Sequence, residues 1–507
     1  MSHLITLPIL VPMLTGLVML LPPINTSRTR QRLFAGASLI VQLVLAMALI
    51  NQATQTPWSF YAMGDWQAPF GIMLMLDRMN ALLVMLTSIL AFATFLYASA
   101  GEDNEGAYFQ PLFQFQLMGI QGAFLTGDVF NLFVFFEVLL IASYALLMHG
   151  GTKQRTRAGL HYVTLNLVGS ALFLFALGIL YGTLGTLNMV DMAAKVQHLP
   201  EDTAPLVAAG GLLLLVVFGL KAALLPLHFW LPQSYSAAAA PVAALFAIMT
   251  KVGLYAIIRI FSLVFGEHAG ELAQLAQAWL WPLALLTIAA GILGVLSSQD
   301  LRRLVAHLVV ISVGSLLAVT SIGNAQALAA VLYYTLHSTL ISAALFLLVD
   351  MIANQRGKAG SRVVAARPVA QPLALGACFM VAGLSIAGMP PFSGFVGKVM
   401  LMQTMPSAGW MLGFWPLALL SGLATLVIFS RAGSTLFWRV HGQATETQGS
   451  PKAHWFGMGL LLSASLVLTL WAAELTAYTQ VAAQHLMQVD TLIQTLLPLH
   501  VPGDLTP

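Results

Sequence analysis

Five ionisable side chains lie in stretches otherwise apolar enough for lipid: Glu137, Lys221, Lys251, His337 and Lys398. A charged side chain at bilayer depth costs roughly 2.5–3.5 kcal/mol on insertion scales unless it is paired or hydrated, so such residues mark ion or proton paths by default. Glu137 sits in DVFNLFVFFEVLLIASYALL, about nine residues from either end, with no Lys or Arg within four positions. Any partner must therefore come from another helix. A carboxyl favours its neutral form in lipid and its ionised form beside an ammonium, which makes such a pair a natural proton switch. A static ion pair that only fixes helix register is the bland alternative.

Lys221 opens KAALLPLHFWLPQSYSAAAAPVAALFAIMTK, which ends at Lys251. Pro226 and Pro232 interrupt this stretch, and the small residues Ser236 to Ala240 form a hinge before Pro241 starts the next apolar run. The two lysines, about thirty residues apart on adjoining spans, belong to one polar seam. Burial and a second cation both favour the neutral amine, so a lysine there can carry a proton. Snorkelling to the interface is the competing role, and it suits Lys221 better than the deeper Lys251. His337, beside Tyr333, Tyr334, Ser338 and Thr339, has two ring nitrogens able to relay a proton near neutral pH. A lone membrane histidine equally serves as a hydrogen-bonded core residue. His228, next to the Pro226 break, could cap exposed backbone or conduct. Lys398 ends the series as an exit gate. Asp300, Arg302 and Arg303 read as loop anchors, and Glu474 as a headgroup contact.

The elements that carry these residues must be membrane helices. Of 507 residues only 8% are charged, against about 25% in soluble chains, and mean hydropathy is +0.87. Spans need about 20 apolar residues, and continuous apolar runs without period-two alternation exclude a β-barrel. The class is an all-α polytopic membrane protein with about fourteen transmembrane helices, near 4–22, 33–51, 77–98, 108–126, 128–149, 161–183, 204–228, 239–264, 272–296, 303–322, 327–350, 371–403, 411–437 and 457–480. The first run, Leu4 to Leu21, lacks a basic n-region and reads as span one rather than a cleaved signal. With that count, Arg28, Arg30, Arg32, Lys153, Arg155, Arg157, Arg302, Arg303, Arg356, Lys358, Arg362, Arg367, Arg431, Arg439 and Lys452 share one side. The other side holds Arg78 and Lys195, with Arg259 at most a third. The positive-inside rule then puts both termini on the non-cytoplasmic side.

Between spans, Trp58 to Phe70 suits a hairpin, Met189 to His198 a short interfacial helix, and the tail after Tyr478 an amphipathic face of Leu486, Val489, Leu492 and Leu496. The net charge of +3 lies in short loops and gives no case for nucleic acid. The single cysteine, Cys378, excludes internal disulfides and cysteine-held iron–sulfur clusters. GFVGKV at 394–399 lacks the first glycine and the Ser/Thr of a phosphate loop, and neither HExxH nor CxxC occurs. The sequence therefore points to no cofactor, no metal site and no hydrolase or dehydrogenase chemistry. An ion gradient or an attached partner must energise it.

Span twelve, MVAGLSIAGMPPFSGFVGKVMLM, echoes span seven: an apolar helix broken by Pro390 and Pro391 with a lysine close by. The order reverses, Lys221 before Pro226 but Pro391 before Lys398, as suits an inverted repeat with its site at the breaks.

Taken in order, FFEVLLIASYALL, LKAALLPLHFWLPQSY, LTIAAGILGVLSSQDLRRLVAHLVVISVG, YYTLHSTLISAALFLL and GLSIAGMPPFSGFVGK resemble the antiporter-like subunits shared by the membrane arm of respiratory complex I and by Mrp-type (Pha) cation/proton antiporters. The resemblance spans nearly the whole chain and is strongest to the D subunit of the Mrp type. Gln233 stands where many complex I relatives have an acid, and Lys398 where several end on one.

The resemblance implies a single integral membrane domain over 1–507: helices 1–3 (4–107), two inverted five-helix repeats, 108–264 and 272–437, with helices 7 and 12 proline-broken, and helix 14 with its tail (457–507). It also implies that Glu137 pairs with Lys221, that Lys251 and His337 relay, and that Lys398 connects to the opposite side. The expected role is proton translocation in a multi-subunit Na⁺, Li⁺ or K⁺/H⁺ antiporter of the bacterial inner membrane, alongside other antiporter subunits and serving pH homeostasis. The rival is a proton-pumping subunit of a complex I-like NADH dehydrogenase or hydrogenase. A non-transporting scaffold is a third class.

Overall fold

The computed structural model describes residues 3–441 and 449–497. The last ten residues of the expected tail thus lie outside the described residues. Helices dominate because a backbone in lipid must satisfy its own hydrogen bonds.

The chain opens with α1 (Leu7–Leu20), α2 (Arg28–Gln55), α3 (Arg78–Ala98), α4 (Phe109–Leu125) and α5 (Val129–Leu147). Between α2 and α3 lies a hairpin, β1 (Ser59–Ala62) antiparallel to β2 (Met73–Leu76), with Ser59 opposite Leu76; its second strand falls beyond the expected Trp58–Phe70 stretch. Helices α4 and α5 are distinct: Asp128 caps α5 by accepting from the Asn131 N–H at 2.8 Å. Their crossing is close, since a Cβ on Gly119 would stand 2.6 Å from the Leu139 nitrogen.

Next come α6 (Lys153–Leu184), the short α7 (Met189–Val196), α8 (Ala204–Ala222), α9 (Trp230–Ala237), α10 (Ala240–Phe246) and α11 (Met249–Leu263). The second half comprises α12 (Gln277–Ser297), α13 (Leu301–Thr320), α14 (Ala325–Gln355), α15 (Pro372–Ala387), α16 (Ser393–Gln403) and α17 (Ala408–Gly433). It ends with α18 (Lys452–Leu470), α19 (Ala472–Met487) and α20 (Val489–Leu496). In the C-terminal tail Leu486, Val489 and Leu492 are buried, and α20 packs on α7, where Gln197 donates to Asp490 at 3.0 Å.

Among the described residues, eleven helical segments are long and apolar enough to cross a membrane, counting α8–α9 and α10–α11 as one each. The remaining expected spans hold shorter helices: α1 with 14 residues, α4 with 17, and the broken pair α15 and α16.

Both breaks have the same cause. Helix α8 ends on Ala223 at φ 63°, and α15 ends on Gly388 at φ 87°. Each left-handed residue turns the chain out of the helix, and a proline two or three residues later prevents its resumption. The segments α10–α11, α14 and α13 form the centre, with 100%, 94% and 89% of their apolar windows buried, against 39% for α2, α6, α12 and α17. Lys251 and His337 therefore sit in the best-enclosed part of the bundle.

Candidate proton path

Helix α5 presents Glu137 half-buried toward α6. Its carboxylate accepts a hydrogen bond from the Ser170 hydroxyl of α6. One turn earlier on α6, the Asn166 side-chain oxygen accepts from the Lys221 ammonium at 3.1 Å. The Asn166 amide nitrogen donates to the Tyr162 carbonyl at 2.9 Å, which leaves the oxygen facing the lysine. Thus one face of α6 holds each of the expected partners on a neutral group, a turn apart. Among the described residues no ion pair within 4 Å joins Glu137 to Lys221. The face of Phe136 lies 5.9 Å from the Lys221 nitrogen and supplies further weak stabilisation.

Lys221 falls in the last turn of α8, where the negative end of the helix dipole favours a cation. Helix α11 packs directly on that turn: a Cβ on Gly253 would lie 2.6 Å from the Ala222 nitrogen and 2.9 Å from the Lys221 carbonyl carbon. Only glycine lets the Lys251 helix come this close. Lys251 is 1% exposed, and its ammonium donates to the neighbouring Thr250 hydroxyl at 3.4 Å.

From there α10 packs on α14, which carries His337, also 1% exposed. Its Nδ1 lies 2.8 Å from the Ser393 hydroxyl, at the start of α16. Ser393 continues to Ser465 at 2.9 Å, and Ser465 to Ser385 at 2.6 Å. A Cβ on Gly394 would come within 2.8 Å of His337 Nε2, so the ring packs directly against the second break. Lys398 donates to the Ala387 carbonyl at 2.8 Å, the last carbonyl of α15, and its charge reaches His337. Each break thus sets a lysine at the C-terminal end of a half-helix, Lys221 within its own last turn and Lys398 reaching back from the following segment.

His228 does not cap the first break. The Leu220 carbonyl accepts from the Trp230 indole at 3.0 Å, and the Leu225 N–H donates to Thr287 at 2.9 Å. Asp300 does anchor its loop, capping α13 through the Arg302 and Arg303 N–H groups. Arg302 does more than a loop anchor would: it forms an ion pair with Asp350 on α14 and donates to the Ala238 carbonyl at 3.2 Å, in the hinge between α9 and α10. Arg259 is fully buried against Asp77 at 2.7 Å and Asn80 at 2.6 Å.

Two broken helices, each with a lysine at the C-terminal end of its first half, define a class. The chain belongs to the transmembrane family described as NADH:quinone oxidoreductase/Mrp antiporter, whose model matches residues 126–428. Within that family the similarity is to the D subunits of cation/proton antiporters. The D subunit of the probable K⁺/H⁺ antiporter of Rhizobium meliloti is 40% identical, with 96% of each chain covered. The D subunit of the Na⁺/H⁺ antiporter of Bacillus subtilis is 35% identical over 98% of this chain and 100% of its own. A chain of the Mrp complex from Dietzia sp. superposes with a TM-score of 0.85 at 27% identity, covering 98% of this chain and 100% of that one. These relatives are transporter subunits rather than enzymes.

Proposed function

We propose that this chain is the proton-translocating subunit of a multi-subunit monovalent cation/proton antiporter in the bacterial inner membrane. It works beside other antiporter subunits, and Na⁺, Li⁺ and K⁺ are the candidate cations. The relatives' names support the antiporter assignment, and they differ in the cation they name. In this reading fourteen segments cross the bilayer, both termini face away from the cytoplasm, and 108–264 and 272–437 form inverted repeats.

The observation that carries the relay is the way its members are held. Lys221, Lys251 and Lys398 donate to an amide, a hydroxyl and a backbone carbonyl, none of them ionised. Glu137 rests on a serine hydroxyl. A permanent salt bridge would hold these charges in one state, whereas neutral holders leave each free to exchange a proton or a partner. Lys221 alternates between Asn166 and Glu137. When it leaves the carboxylate it loses the charge that stabilised its proton, which passes along Lys251 and His337 towards Lys398.

Inside-out vesicles free of endogenous antiporters, carrying this chain with its genomic neighbours, test the reading through a ΔpH dye. Addition of Na⁺, Li⁺ or K⁺ should collapse ΔpH in wild type and not in Glu137→Ala, with assembly unchanged. No response to any cation from an assembled complex would move the assignment to a redox-driven pump.

A further inference from the structure

Four glutamines among the N-terminal helices take no part in the candidate proton path: Gln42 on α2, and Gln110, Gln114 and Gln121 on α4. Each is at most 1% exposed. Each has one end of its amide engaged. Gln110 donates to Asp103 at 3.0 Å, and Gln114 accepts from the Ser38 hydroxyl of α2 at 2.9 Å. Gln42 donates to the Pro8 carbonyl of α1 at 2.9 Å, and Gln121 to the Ser88 hydroxyl of α3 at 3.3 Å. The other end of each amide is buried with no hydrogen-bond partner among the described residues: Oε1 of Gln42, Gln110 and Gln121, and Nε2 of Gln114.

These free ends follow one another in depth. At about 100° per residue, Gln110, Gln114 and Gln121 fall within about 40° of each other around α4 and share one face. The Arg32–Asp103 pair and the Ser38–Gln114 bond set α2 and α4 in register, both running inward from the basic end. Gln42, one turn beyond Ser38, therefore stands between Gln114 and Gln121. Along the axes the successive amides are about 6, 6 and 4.5 Å apart at 1.5 Å rise per residue. Two polar atoms bridged by one water are about 5–6 Å apart, twice a hydrogen-bond length.

The seam meets the surface at its basic end, where Arg32, held on Asp103 beside Gln110, is 30% exposed. At the inner end the Ser88 hydroxyl donates to the Val84 carbonyl of its own helix at 2.8 Å. Gln121 lies at the depth of Glu137, because Gly119 and Gly122 of α4 cross Leu139 and Phe135 of α5. That crossing is roughly 130° around α4 from the seam, so the seam runs on a different side of the helix from Glu137.

From this alignment we infer that the seam between α2, α3 and α4 binds a file of ordered water, reaching from the basic surface to the depth of Glu137. A buried amide atom without a partner is costly, and buried water is what ordinarily satisfies such atoms. The free ends are three acceptors and one donor. Water serves both kinds, whereas a bare Na⁺, Li⁺ or K⁺ would set its charge against the Gln114 N–H.

X-ray radiolysis of the assembled complex in water labelled with heavy oxygen, read by mass spectrometry, tests this, because radicals formed from bound water label the side chains beside it. Leu117 is the probe: it lies on the seam face of α4 between Gln114 and Gln121 and is 1% exposed. Ile288 of α12, fully buried against Gly314, is the dry control. Leu117 should take up heavy oxygen and Ile288 should not. The Gln114→Met/Gln121→Met pair, with assembly intact, should lose the labelling at Leu117. Wild-type Leu117 as unlabelled as Ile288 would overturn the site without recourse to any variant. So would labelling that persists in the paired variant. Suppression of Leu117 labelling by added Na⁺, Li⁺ or K⁺ would also overturn it, and would assign the seam to a cation.

Discussion

Replacing Asn166 by alanine removes the neutral holder of Lys221 without touching a charged residue. The amide and the ammonium are both buried, at 2% and 5% exposure, so solvent does not stand in for the lost bond. A hydrogen bond to a charged group contributes about 1.5–3 kcal/mol. Its loss lowers the population of the Asn166-held state by roughly tenfold to a hundredfold. Lys221 is then left to dwell on Glu137, whose neighbour Phe136 already lies 5.9 Å from the lysine nitrogen. An ammonium paired to a carboxylate gives up its proton less readily, so exchange slows by a comparable factor.

Asn166→Asp sharpens the test, because it offers the lysine a permanent carboxylate at the same position and should abolish exchange. The assay is the rate of cation-induced ΔpH collapse in vesicles, normalised to assembled complex on a native gel. Asn166→Ala turning over at half the wild-type rate or more, while Lys221→Ala is inactive, would refute the two-holder switch.

Three other expectations follow from the same geometry. Lys251→Met removes a buried cation whose one hydrogen bond is to Thr250, so the complex should gain stability, up to about 2 kcal/mol, while losing exchange; heat-induced loss of assembly measured beside transport separates the two effects. Gly394→Ala would drive a Cβ into the Ser385 carbonyl oxygen and to 2.8 Å from His337, so α16 must shift off the ring; exchange should fall at least tenfold, and a wild-type rate would show that the His337 contact is unimportant. Arg302 and Asp350 are 23% and 8% exposed, so breaking their pair should cost about 1–3 kcal/mol, and a double-mutant cycle on thermal stability should show coupling above about 0.5 kcal/mol; additive losses would mean that the contact is incidental.

Much of this site was legible in the sequence because its residues break a strong local rule. A Glu or Lys within twenty apolar residues stands out against an 8% charged background, and proline pairs announce the two helix breaks. The holders were harder to see. Asn166 and Ser170 are four apart, hence on one face of α6, and that spacing was a usable signal in an otherwise apolar helix. Serine and asparagine are common enough in membrane helices that nothing local set them apart. The Arg302–Asp350 pair was missed for a different reason. The two residues are 48 positions apart, and Arg302 stands beside a loop-capping Asp300 that accounted for the local charges. Which distant residues meet depends on helix packing, and hydropathy does not encode it.

The chemistry of the holders bears on why a transport path would be built in this way. Pairing each buried lysine with a carboxylate would suit stability better, and the chain can do so: Arg259 and Asp77 form such a pair deep in the bundle. Yet the three lysines of the candidate path contact groups that offer only a partial negative charge. Two states exchange rapidly only if their free energies lie within a few kcal/mol, and a dry salt bridge would separate them by more. An amide, a hydroxyl and the end of a half-helix each offset part of the desolvation cost and leave the rest uncompensated. In the proposed relay, that residual cost would let a single charge arriving at Glu137 shift the balance at Lys221. Arginine, which does not release its proton, is found at the fixed contacts with Asp77 and Asp350, and lysine at the positions of the proposed relay.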